Sequence, residues 1–185
     1  MKSAVTSEAI ASSSPSRDDG RAGLTAALAI TAISAATLAG AWFFQLVLDI
    51  RPCPLCLEQR YAYYLVVPLG CWAAIAAARN AARPVLVAGF AIIALAMLWN
   101  AALATYHSGV EWGFWQGPTE CSGPVGNFGN AGSLLQRLDS VKVIRCDEVQ
   151  WRFLGLSLAG YNVLISSLVA AIAAWGAIRS ARRRI

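Results

Sequence analysis

Charge is scarce in this sequence. Only 14% of its 185 residues are Asp, Glu, Lys or Arg, where a soluble domain carries roughly 25%. The deficit is concentrated in four places. No charged residue occurs from Ala22 to Leu48, from Tyr61 to Ala78, from Val85 to Tyr106 or from Phe153 to Ile178. A helix crosses a bilayer with about 20 apolar residues, so each run qualifies, the second by the narrowest margin. Four such runs leave too little chain for a separate soluble domain. The expected fold is therefore an all-α membrane protein, a four-transmembrane-helix bundle over 22–178, with spans at about 22–48, 61–78, 85–106 and 153–178.

Other absences narrow the function. There is one histidine, His107, and no second closely spaced Cys or His pair to complete a structural zinc site. No metal is expected. A thioredoxin-like domain needs a βαβ context, which the four apolar runs do not provide. The net charge of +5 does not signal nucleic acid, because the arginines sit at the edges of the apolar runs and not on an interleaved aromatic–basic surface.

Those arginines orient the chain instead, since cytoplasmic flanks hold an excess of Lys and Arg. The turn between the second and third runs carries Arg79 and Arg83 without an acid, and the last residues carry Arg179, Arg182, Arg183 and Arg184. In 49–60, by contrast, Asp49, Arg51, Glu58 and Arg60 cancel. Both termini are expected in the cytoplasm, as a disordered tail over 1–21 rich in Ser, Ala and charge and a basic tail over 179–185. The loops 49–60 and 107–152 then face outward. The first run is too long for a signal-peptide core, and its basic preface is also too long.

What the sequence does have is cysteine in both outward loops: Cys53 and Cys56 in the first, Cys121 and Cys146 in the second. Outside the cytoplasm such thiols tend to oxidise, so two disulfides are expected, although four cysteines permit three connectivities. The fifth, Cys71, lies mid-span and reads as a small hydrophobe. Cys53-Pro54-Leu55-Cys56 closes too small a loop to stabilise much, and its usual role is redox. A helix beginning here puts Cys56 near the positive end of the helix dipole, with Arg60 one turn further on the same face. Dipole and guanidinium favour negative charge on a thiolate, and also on the oxygens of a quinone being reduced. Arg60 also suits simple snorkelling to the headgroups. His107 fits a proton donor or an interfacial histidine. Between Cys121 and Cys146 the first half is turn-rich, while Leu134, Leu135, Leu138 and Val141 suggest a short amphipathic segment. Gln45, Asn100 and Asn162 are the main amides within the spans, too few for an evident polar pathway.

These motifs resemble the disulfide-bond-formation protein B family (DsbB). The likeness rests on Pro52-Cys53-x-x-Cys56 with Gln59-Arg60, Tyr106-His107-x-Gly109-Val110-Glu111, Gly117-Pro118-x-x-Cys121, and Cys146-Asp147-Glu148-x-Gln150-Trp151-x-Phe153-Leu154-Gly155. It spans about 24–178. The resemblance implies a bacterial inner-membrane, quinone-dependent protein-disulfide oxidoreductase that reoxidises a periplasmic DsbA-like dithiol protein, with ubiquinone or menaquinone as cofactor. It also implies roles: Cys121 is attacked by the partner, Cys146 is released and attacks Cys53, and Cys56 hands electrons to a quinone held by Arg60 and His107. It assigns nothing to Glu58 or Glu111. Competing readings are an oxidase dedicated to one specialised partner, a vitamin-K-epoxide-reductase-like enzyme, and a non-catalytic disulfide-bonded membrane protein.

Overall fold

Prolines and glycines mark where the apolar runs become helices. A computed structural model of the chain describes residues 15–118 and 146–182, with side chains from residue 21 onward. Helix α1 runs Pro15–Leu46, α2 Pro54–Ala78, α3 Arg83–Glu111 and α4 Leu158–Arg182. Pro54 and Pro84 fall in the first turns of α2 and α3, where a missing N–H costs nothing and φ is already helical. Among the described residues, these four helices are long and apolar enough to cross a membrane. The protein is a four-helix membrane bundle.

Helix α3 packs most extensively on α4, and α1 on α2. The core holds Ile30, Val66, Phe90, Ile93, Met97 and Val169 among many alanines. In a bilayer, apolar contact offers no driving force over lipid, so helices associate through small residues that permit close approach. Gly176 is such a point: a Cβ there would lie 3.0 Å from Phe90 and 3.1 Å from Ala26. Other large side chains, Leu95 and Trp99 among them, are exposed on the outer faces, where lipid would lie. Trp112, Phe114 and Trp115 form an exposed aromatic group just beyond α3, as membrane interfaces favour.

A two-residue hairpin precedes α4. Strand β1 (Arg152–Phe153) pairs antiparallel with β2 (Leu156–Ser157). The turn between them holds Leu154 at φ 50° and Gly155 at φ 84°, the doubly left-handed turn that matches strand twist. Leucine in that region is strained. The hairpin sets Ser157 as the cap of α4, its hydroxyl accepting the Gly160 N–H at 3.1 Å.

Helix limits differ from the sequence expectation. Residues 15–21, expected within a disordered tail, are helical. Helix α2 begins at Pro54, where a helix start at the cysteine pair was expected, and takes in Glu58 and Arg60, so the first loop is shorter than 49–60; α3 continues through His107 to Glu111, which moves the start of the second loop from 107 to 112. The fourth helix starts at Leu158, the hairpin taking the place of its first expected turn. In α2 and α3 the cause is shared: Arg60, His107 and Glu111 end or follow the uncharged runs, but each has a partner on another element, so the helices go on. Cys121 and the amphipathic segment expected at 134–141 lie outside the described residues.

Candidate active site

The site is built at the N-terminus of α2. Cys53 is the N-cap, and its sulfur accepts the Cys56 backbone N–H at 3.3 Å. Cys56 lies in the first turn, near the positive helix end as expected, but the sulfur that receives its free N–H is that of Cys53. Cys53 and Cys56 are free thiols, not the disulfide expected, with their sulfurs sharing a hydrogen bond at 2.9 Å. The Cys53 sulfur also faces His107 Nε2 at 3.6 Å. Together these hold the Cys53 thiol down to about 5 from an ordinary 9.0: the Cys56 thiol's hydrogen bond contributes most, then His107 and the Cys56 N–H, all against the opposing effect of burial. Since Cys53 also takes the backbone N–H, it is the thiolate and Cys56 the donor of the pair.

His107 arrives from the last turns of α3 and is 3% exposed. Its Nδ1 lies 2.9 Å from Gln59 Nε2, and its Nε2 lies 3.9 Å from Glu111 one turn later. Glu111 in turn accepts a short hydrogen bond from Ser157. Behind Gln59 a polar chain enters the bundle. Asn162 Nδ2 donates to Gln59 Oε1 at 2.5 Å, the Tyr63 hydroxyl donates to Asn162 Oδ1 at 2.5 Å, Tyr63 meets Ser166 Oγ at 3.1 Å, and Asn100 Nδ2 donates to Ser166 Oγ at 2.9 Å. Asn100 and Asn162, judged too few for an evident polar pathway, are joined here in one hydrogen-bonded chain. Tyr63 and Ser166 were not singled out and Gln59 was named only as a motif residue beside Arg60, yet a signal was present. Cys56, Gln59 and Tyr63 follow at three and four residues on α2, Asn162 and Ser166 at four on α4, and Asn100, His107 and Glu111 at seven and four on α3. Each set lies on one helix face.

A cavity of about 410 Å³ opens beside this chain, lined by Cys53, Cys56, Gln59, Arg60, His107 and Glu111, with Thr37, Ala41 and Phe44 of α1 and Trp151, Tyr161 and Ile165 on the other sides. Arg60 is fixed at its wall. It donates to Gln45 Oε1 at 2.6 Å and to the Ala41 carbonyl at 3.3 Å, and its guanidinium stacks over Trp42 at 5.5 Å. This is a clamped cation and not a freely snorkelling one.

Cys146 is disulfide-bonded and 1% exposed. It packs into the same small cluster as Cys53, Leu55 and Val110, with Cys56 and Leu103 against it. The fold thereby brings three of the four loop cysteines to one end of the bundle. Cys71 is exposed on α2 and Glu58 is exposed one residue before Gln59; neither belongs to the site. Two sulfurs and a histidine do converge here, which the scattered spacing of the sequence did not suggest.

The family model described as Disulfide bond formation protein DsbB matches residues 24–176 of the chain. A Disulfide bond formation protein B of Azoarcus sp. is 31% identical over 159 residues, covering 80% of this chain and 88% of that protein. One of Polaromonas sp. is 28% identical over 154 residues, covering 80% and 87%. An uncharacterised protein of Rickettsia prowazekii is 28% identical over 143 residues, covering 75% and 78%. No solved structure matches the chain.

Proposed function

Since this chain belongs to the DsbB family of disulfide-bond-formation membrane proteins, we propose that it is an inner-membrane thiol oxidase. It takes two electrons from a periplasmic DsbA-like dithiol protein and delivers them to a membrane quinone. The observation that carries this reading is the convergence of the disulfide-bonded Cys146, the Cys53–Cys56 pair and the Arg60-walled cavity at one end of the bundle. The arginines of the 79–84 turn and the C-terminal tail, which cytoplasmic flanks favour, support a reading in which that end faces outside.

The relay proceeds by thiolate attack on disulfide. A partner thiolate attacks Cys121 in its disulfide with Cys146, and Cys146 leaves as a thiolate. Cys146 attacks Cys53 in the oxidised Cys53–Cys56 pair, and Cys56 leaves carrying the electron pair. The partner's second thiolate attacks its own mixed disulfide and frees Cys121. Cys121 then re-forms its bond to Cys146 and returns Cys53 as a thiolate. One dithiol has become a disulfide, and the Cys53–Cys56 pair has become a dithiol. The N-cap, His107 and Cys56 all stabilise negative charge on Cys53, which makes it a good leaving group in that last step.

The cavity fits a quinone headgroup. Its volume lies in the range of small-molecule sites, its walls are mainly apolar and aromatic, and its polar points are a guanidinium, an imidazole and the Cys56 thiol. A bound quinone, ubiquinone or menaquinone, supplies the two-electron acceptor. Arg60 and His107 are the residues that would hold its oxygens. His107 stands between the Cys53 sulfur and Glu111; with Nδ1 accepting the Gln59 amide N–H, its Nε2–H faces that sulfur and supports the thiolate.

The test is reconstitution of the purified protein with a ubiquinone analogue and a reduced periplasmic dithiol protein, following quinone absorbance. Quinone reduction is expected to stop in Cys56→Ser and in Cys121→Ser. Undiminished turnover in both would overturn the relay.

A further inference from the structure

Cys53 Sγ, Cys56 Sγ and His107 Nε2 all lie within 4.8 Å of one another. Zinc takes sulfur at about 2.3 Å and imidazole nitrogen at about 2.0–2.1 Å. A tetrahedral arrangement then sets sulfur and nitrogen about 3.6 Å apart and two sulfurs about 3.8 Å apart. The Cys53–His107 separation is 3.6 Å, already at that spacing. The sulfurs, at 2.9 Å, need to part by roughly 0.9 Å to reach the zinc spacing. Rotation of the Cys56 side chain supplies this, because Cys56 is only partly buried and borders the cavity.

We propose that the dithiol state of this chain binds a zinc-type divalent cation through Cys53, Cys56 and His107, with the fourth position open to the cavity. The thiols enter as thiolates and release their protons, and no electrons move, since zinc has no redox chemistry. Three protein ligands with an open fourth position resemble a catalytic more than a structural zinc site. Here the consequence is a brake: while both sulfurs are bound to metal, the pair can neither re-form its disulfide nor pass electrons. That consequence rests on the relay described above; the binding itself does not.

The buried amides make the histidine a competent ligand. Coordination through Nε2 requires the ring proton on Nδ1 and an acceptor for it. A half-turn of the Gln59 carboxamide presents Oε1 to Nδ1. The chain behind then reverses: Gln59 Nε2 donates to Asn162 Oδ1, Asn162 Nδ2 to the Tyr63 hydroxyl, and that hydroxyl to Ser166 Oγ, with only the 3.3 Å bond from Ser166 Oγ to Asn162 Oδ1 given up. The network that orients His107 toward sulfur thus serves either tautomer.

The full-length chain, reduced with a phosphine in detergent, is titrated with Co²⁺ as a spectroscopic stand-in for zinc. Thiolate-to-cobalt charge transfer and tetrahedral visible bands are read. The expected result is one Co²⁺ per chain, displaced by Zn²⁺, with the bands lost in Cys53→Ser and in Cys56→Ser. His107→Ala should weaken binding about 10-fold or more, as loss of even a supporting group does. The chain with Cys53–Cys56 oxidised should give no band. Absence of the bands in the reduced wild type overturns the proposal, as does an unchanged spectrum and affinity in Cys53→Ser or His107→Ala, which would locate the ion on other thiols. No quinone or partner is present, so failure here is distinct from failure of the relay. Thiol oxidation insensitive to Zn²⁺ alongside an intact cobalt spectrum overturns the brake.

Discussion

Gln59→Leu is the sharpest probe of how the bundle interior supports the site. Leucine fills nearly the same volume but deletes two hydrogen bonds, one to His107 Nδ1 at 2.9 Å and one from Asn162 Nδ2 at 2.5 Å. Gln59 is 5% exposed, so water does not readily replace it. An orphaned buried polar group costs about 1–3 kcal/mol in soluble proteins. Interhelical hydrogen bonds in membranes average nearer 0.6 kcal/mol, with a maximum of about 1.7. The membrane figure governs here, because both bonds link separate helices, and two of them give about 1–2 kcal/mol. If the same energy is lost where His107 must meet the reacting sulfur, turnover falls about 5- to 30-fold. The assays are unfolding of the purified protein in detergent and quinone-linked thiol oxidation. Tyr63→Phe is the control, two links further from the sulfur. It should cost about 1 kcal/mol of stability and leave turnover within about 2-fold, since His107 keeps its partner. Unchanged stability and turnover in Gln59→Leu would refute the supporting role. Equal slowing in Tyr63→Phe would show that the chain moves protons instead of holding a ring.

Further outcomes follow from the same geometry. Arg60→Ala should raise the quinone KM more than it lowers kcat, and Arg60→Lys should not restore it, because two donors and a stacking plane engage Gln45, Ala41 and Trp42; full rescue by lysine would argue for a point charge. In the reduced protein, alkylation of Cys53 should stay near its plateau from alkaline pH down to about 5 and fall below it, whereas a midpoint near 9 would remove the case for a stabilised thiolate. The folded value lies below the ordinary one, so the stability this thiolate contributes is complete above pH 9, declines as pH falls, and is gone below about 5. Ser157→Ala removes the cap on Gly160 and the hydrogen bond to Glu111 and should cost about 1 kcal/mol, read as a lower thermal midpoint in detergent.

Four spans and a bundle were legible from uncharged runs, because a bilayer core admits little else than helices of that length. The cysteine pair and Arg60 were legible too, since they are local in sequence. Apart from the start of α2, the helix limits were not. Glu58, Arg60, His107 and Glu111 interrupt apolar runs and look like loop residues, yet each of the last three finds a partner on another element. The amides were visible singly, and their helical spacing hinted at one face. Only packing could show that the faces of α2, α3 and α4 meet.

By itself, then, the sequence determined how many times the chain crosses a membrane, that α2 begins at the cysteine pair, and which side chains carry sulfur chemistry. Those features depend on composition and on neighbours a few residues away. The tertiary structure decided which sulfur is the thiolate, what holds His107, and that Cys146 is packed with Cys53. Gln59, His107 and Asn162 come from three helices. Their hydrogen bonds exist only because small residues let those helices approach closely, a matter of three-dimensional contact that no spacing along one helix encodes.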